Sequence, residues 1–299
     1  MIVDLSRIKS GFSDKLRAIT FFIALSKFKK IKNFRVYEKK NYQCPFRFVD
    51  YCKIKKIKIK LIKKNIEDKK KILFNSYNSE INMKNCRVAN KYSFQIENKE
   101  LLSEWKNSYK EIIPNFSLKK KINKINLPKN FISIHIRSTD RVVKFTNTLK
   151  EIQLKDMIFD FQLLKFSSMV INFLQKHSTC KNIYISSDQE NLKMKVINEL
   201  KKNNYRVFFN NCIFKNSAYR QTKGVDFLID LFCISKSKII FSTVGGGVPI
   251  TAHLLSGKKN KIICWIDEMN RFYFLRVFFL LIYYVKRMKF ILFNFHRFK

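Results

Sequence analysis

The chain has 299 residues, 46% of them hydrophobic, and carries 61 Lys plus Arg against 22 Asp plus Glu, a net charge of +39. That hydrophobic share argues against a disordered chain, and the length suits one large or two ordinary domains. The charge draws polyanions such as nucleic acid, anionic lipid headgroups or a sugar nucleotide, although an AT-rich codon supply would also enrich Lys, Asn, Ile and Phe.

The amino terminus, Met1 to Leu5, lacks a basic region followed by an apolar run, so no secretory signal is read there. Ile2 to Leu5 is a short predicted strand. Gly11 supplies a turn after it, Ser13 or Asp14 can cap a helix, and Leu16, Ile19 and Ile23 recur at helical spacing. Strand, glycine turn and helix form an arrangement in which backbone amides can face an anion; it is equally an ordinary structural turn. Asn33 to Glu38 is the second predicted strand and Gln43 to Asp50 a loop. From Lys53 to about Lys124 the pattern blurs, with β-like runs at Ile57 to Ile62 and Ile72 to Phe74. Trp105 and Tyr109 are read as core of a helix. Lys119 to Lys124 and the break at Leu127 to Asn130 mark a domain boundary.

Phe131 to Ile136 reads as a buried strand that ends in a polar cluster, His135-Ile136-Arg137-Ser138-Thr139-Asp140-Arg141. In open α/β sheets ligands bind at the carboxyl ends of strands, and a guanidinium there is a planar fork suited to phosphate. A surface Arg137 paired with Asp140 is the competing reading. A helical pattern runs from about Leu154 to His177, and Asn182 to Ser187 is a strand ending at Asp188, which suits a ribose hydroxyl, a base edge or a helix cap. A helix at Glu190 to Lys202, a strand at Arg206 to Phe209, a helix at Val225 to Ser235 and a strand at Lys238 to Ser242 follow. Thr243 to Pro249 is a glycine loop leading into a helix at Ile250 to Leu255, and Ile262 to Ile266 is the last strand. This alternation predicts a doubly wound parallel sheet, and Gly245, Gly246 and Gly247 would let backbone amides close on a phosphate. The tail, 271–299, mixes aromatic and basic residues, which suits the interfacial zone of an anionic bilayer or a terminal helix packed on the core. No uncharged apolar run approaches the roughly 18 residues of a span. Seven scattered cysteines without a Cys-x-x-Cys pair predict neither disulfide framework nor zinc site, so a reducing, cytoplasmic-side location is expected.

Four segments, Gly11 to Arg17, His135 to Arg141, Ile183 to Asp188 and Asp226 to Gly247, together resemble the GDP-fucose fucosyltransferase superfamily. That superfamily includes the α1,2-, α1,6- and protein O-fucosyltransferases and the nodulation enzymes. The resemblance covers about residues 8 to 257, and the His-x-Arg-x-Thr-Asp run is its most specific part. It implies an α/β fold of GT-B type with two Rossmann-like domains facing a cleft: 1–126 on the acceptor side, 127–270 binding the nucleotide sugar, and 271–299 as a basic tail. It also implies an inverting transfer without metal or cofactor, from GDP-fucose to a glycan acceptor such as a bacterial surface polysaccharide. Arg137 would hold the diphosphate, His135 and Asp188 would lie at the nucleoside, and Thr243, Gly245, Gly246 and Gly247 would cradle the phosphates. Gly11 and Arg17 would belong to an amino-terminal loop facing the cleft. The chain departs from the family at the acceptor base, where Val143, Lys144 and Phe145 occupy the place of a glutamate, leaving Asp140 as the catalytic candidate beside Arg137. It departs also at a Ser-rich phosphate loop, replaced here by glycines. No Asp-x-Asp pair occurs in the chain, so fixed positive groups are expected to take the charge that a metal would otherwise absorb. The partners expected are the donor, the acceptor and, through the tail, the inner face of the cytoplasmic membrane, with no nucleic acid.

Overall fold

The computed structural model describes residues 2–5, 12–28, 33–40, 44, 46–55, 58–62, 71–73, 99–137, 168, 170–176, 179–188, 190–211, 224–243 and 247–264. Two parallel sheets organise them. The first takes β1 (Ile2–Asp4), β2 (Asn33–Tyr37), β4 (Lys58–Ile62) and β5 (Lys71–Leu73) in the order β4-β2-β1-β5. The second takes β7 (Ile132–Ile136), β8 (Asn182–Ser187), β9 (Arg206–Phe209), β10 (Ile239–Ser242) and β11 (Lys261–Cys264) in the order β11-β10-β7-β8-β9. Among the described residues no helix is long and apolar enough to cross a membrane.

The second sheet is wound in both directions from β7. Its helices divide accordingly. α5, helical over 170–176, and α6 (Glu190–Lys202) cover one face, where Val170, Leu174, Val196, Ile197 and Leu200 pack on Ile132, Ile134, Ile183, Ile185 and Phe241. α7 (Gly224–Ile234) and α8 (Gly247–Leu255) cover the other. The apolar residues of β7 and β8 alternate with Ser133, His135, Tyr184 and Ser186, so one face of the sheet is apolar and the other sets polar side chains beside Ile240 and Phe208.

Beyond α7 and α8 lies the first half of the chain, and the two halves share one apolar core. That core holds Leu16, Ile19 and Phe22 of α1 (Phe12–Phe28), Trp105 of α3 (Lys99–Ser108), and Leu228, Val248 and Ala252 from the second half. α1 is buried on almost every side, as expected of a helix apolar all round. The Trp105 indole packs edge-on against Phe21 at 5.2 Å and donates to the Arg17 carbonyl at 3.0 Å. Phe12, at the start of α1, meets the Phe227 ring at 6.4 Å across the seam.

The structure departs from the sequence-based expectation in four places. α1 begins at Phe12, so neither Ser13 nor Asp14 caps it, and Arg17 lies inside that helix rather than in a loop. α2 (Phe48–Tyr51) falls within the expected loop, with Asp50 accepting from the Arg47 amide at 3.0 Å. The basic stretch 119–124 belongs mostly to α4 (Phe116–Asn123), started by Asn115, whose side chain accepts from the Leu118 amide; Leu118 and Ile122, one turn apart, are buried beneath the lysines. An antiparallel pair, β3 (Cys52–Ile54) with β6 (Ile112–Pro114), was not anticipated.

Candidate functional site

In strand order the second sheet reverses between β7 and β10. The crevice beyond their carboxyl ends is the place where such sheets bind ligands. His135 and Ile136 close β7, Ser187 and Asp188 close β8, and Ser242 and Thr243 close β10. Backbone bonds lace these ends together. The Arg137 amide donates to the Thr243 hydroxyl at 3.0 Å, that hydroxyl lies 3.3 Å from the Arg137 carbonyl, and the Thr243 amide donates to the His135 carbonyl at 3.1 Å. The Asp188 amide donates to the Ile136 carbonyl at 3.4 Å.

Strand register sets Ser242, His135 and Ser186 side by side on the polar face, all three buried. His135 Nδ1 lies 3.0 Å from Ser186 Oγ, whereas Nε2 is buried with no hydrogen-bond partner. Burial lowers the His135 pKa to about 4; Asp188 pulls it back up and Arg137 adds to the depression. The imidazole is therefore neutral at pH 7, and a neutral ring with one nitrogen engaged keeps the other for an external donor or acceptor.

α8 starts at Gly247, three residues earlier than expected, because Pro249 is accommodated in a first helical turn where no amide is needed. Gly247 is thus the first residue of a helix rather than part of a free loop. A Cβ there would stand 3.3 Å from Ser13 Cβ, so glycine permits the starting turns of α1 and α8 to touch. The starting turns of α1 and α8 therefore meet there, and the amino end of a helix carries a partial positive charge.

Arg17 sits one turn into α1, 3.4 Å from Asp14 through its Nη2. Gly11, Asp140, Gly245 and Gly246 lie outside the described residues, as does the tail 271–299. Ser186 and Ser242 were not singled out from the sequence, and Ser13 only as a helix cap; the alternation Ile183-Tyr184-Ile185-Ser186 carried the signal for the first. Among the described residues no group of three or more His, Cys, Asp or Glu is placed to hold a metal ion.

No family model and no curated protein matches the chain. The solved structure of NodZ alpha-1,6-fucosyltransferase soaked with GDP-fucose is similar, with a TM-score of 0.51 at 13% identity over 85% of this chain and 92% of that one. The two chains share a fold. NodZ from Bradyrhizobium gives 0.49 at 10% identity over 85% and 93%, and POFUT1 in complex with GDP 0.37 at 10% over 54% and 51%. Within this fold the β7 and β10 ends lie where an α/β sheet offers its crevice.

Proposed function

We propose that the protein is an inverting glycosyltransferase that moves fucose from GDP-fucose to a glycan acceptor without a metal. The observation that carries this reading is the knot at the switch point, where the Thr243 hydroxyl is tied to the Arg137 backbone four residues before α8 begins. Breaking a sugar–phosphate bond leaves charge on the departing diphosphate, and fixed donors aimed at that charge stabilise the transition state. Arg137 supplies a forked cation for the diphosphate, and the amides at the α8 start extend the cradle with Gly245 and Gly246. Neutral His135 and Asp188 face the nucleoside. Asp140 is the candidate acceptor base.

In this reading the two sheets are the halves of a GT-B pair, divided near 126/127, with the acceptor entering on the side of the first. The acceptor is a bacterial surface polysaccharide or lipopolysaccharide, met at the inner face of the cytoplasmic membrane, to which the tail 271–299 attaches. A thermal-shift panel of nucleotide sugars tests the donor. GDP-fucose at about a hundred times its Kd should stabilise the fold by about 2.7 kcal/mol. Arg137→Ala should retain the wild-type melting temperature yet lose both this shift and sugar transfer. A shift with a different nucleotide sugar would keep the chemistry and replace the donor; wild-type transfer by Arg137→Ala would remove the proposed mechanism.

A further inference from the structure

The edge of the second sheet opposite the crevice carries a different chemistry. Backbone hydrogen bonds run along it from strand to strand: the Lys261 amide donates to the Lys238 carbonyl, the Lys238 amide to the Phe131 carbonyl, and the Arg206 amide to the Lys181 carbonyl. The Asn182 side chain closes the remaining gap by donating to the Asn130 carbonyl at 3.1 Å. Lys261, Lys238, Lys129, Lys181 and Arg206 therefore stand in one row at the amino ends of β11, β10, β7, β8 and β9, and all five are exposed. Five strands at their usual spacing make the row about 19 Å wide.

The end of α6 and the turns that feed the strands add Lys202, Lys236 and Lys259, each exposed. Acidic residues go elsewhere. Of those described in this half, Asp188, Glu190 and Asp226 lie at the crevice end of the sheet, Asp230 is buried, and Glu199 alone is near the amino edge. Lysines in the last turns of helices complement the helix dipole, which accounts for Lys201 and Lys202. It does not account for residues at strand starts. None of the ion pairs among the described residues involves the row. Phe116, 80% exposed, opens the lysine-rich helix α4 that leads into β7.

We propose that this amino edge is a docking surface for an anionic lipid bilayer. The row lies along a sheet edge and matches a plane of negative headgroups. This docking would leave the crevice at the β7 and β10 ends directed away from the lipid. The proposal is independent of the sugar-transfer reading and of the tail 271–299.

The test is co-sedimentation of the full chain with phosphatidylcholine vesicles, with and without phosphatidylglycerol. A lysine near such a surface is worth roughly fivefold in binding. The combined variant Lys129→Glu, Lys181→Glu, Lys238→Glu and Lys261→Glu should therefore bind anionic vesicles about a hundredfold or more weaker than wild type. A control with the same charge change, Lys40→Glu, Lys53→Glu, Lys55→Glu and Lys110→Glu, should lose far less. Glutamine at the four edge positions repeats the comparison if charge reversal disturbs the circular dichroism spectrum. Equal losses in the edge and control variants would overturn the proposal. So would unchanged binding by the edge variant, or edge-dependent binding of a labelled oligonucleotide by a chain that ignores the vesicles.

Discussion

Removing Lys15 isolates the most deeply buried charge pair among the described residues. Lys15 Nζ lies 2.8 Å from Glu38 Oε1 and 3.2 Å from the Lys39 carbonyl, with both side chains of the pair fully shielded from solvent. The other Glu38 oxygen accepts from the Phe48 amide at 2.7 Å, so one carboxylate joins α1, the end of β2 and the start of α2. Lys15→Met keeps the apolar stem but leaves that carboxylate buried with one remaining donor. The expected loss is about 3–5 kcal/mol, a large part of the roughly 5–15 that hold a domain together. Lys15→Met with Glu38→Gln should recover most of it, because no buried charge is left uncompensated and the glutamine oxygen can still accept from Phe48. Burial already raises the Glu38 pKa from 4.5 against the pull of Lys15, and losing Lys15 raises it further. A carboxyl with a raised folded pKa gives stability that is present at low pH and lost as pH rises through the folded value. The deficit of the single variant should therefore be larger at about pH 8 than at about pH 5 in urea unfolding followed by circular dichroism. A single-variant loss under about 1 kcal/mol, or a deficit that ignores pH, would refute the reasoning.

Thr243→Val keeps the shape of the side chain but strips the Arg137 amide of its acceptor. The expected effect is about 1–3 kcal/mol of stability with weaker GDP-fucose binding, read by urea unfolding and titration calorimetry. Gly247→Ala forces the starts of α1 and α8 apart by a few tenths of an ångström and should lower Tm, while adding Ser13→Gly should restore it; a loss that Ser13→Gly leaves untouched would point to another cause. Asp230, buried against the Tyr184 hydroxyl at 2.5 Å, has its pKa pushed up to about 7 by burial. Its contribution to stability should decline as pH rises from about 4 toward 7, and Asp230→Asn should remove that slope from unfolding free energies measured across the range.

The second sheet was largely legible because each strand is bounded by polar turns and each helix keeps its period. β8, α6 and β9 fall on the residues expected from the sequence. The first half was harder to read. In α4 three lysines and an asparagine surround only two core positions, Leu118 and Ile122, so composition hid a helix. β3 and β6 are each three residues long and pair across a wide gap in sequence, which no local pattern reports. Strand ends marked His135, Arg137, Asp188 and Thr243 as sharing one rim. The row from Ser242 through His135 to Ser186 depends on interstrand register, and the role of Gly247 on a neighbour in another half of the chain. Neither follows from spacing alone.

The starts of α1 and α8 meet where Gly247 contributes nothing beyond its backbone, and their spacing there has no slack for a side chain: a Cβ would stand 3.3 Å from Ser13 Cβ and 3.5 Å from its hydroxyl. Any larger residue would act as a shim, and the Ser13 end of α1 would have to yield to it.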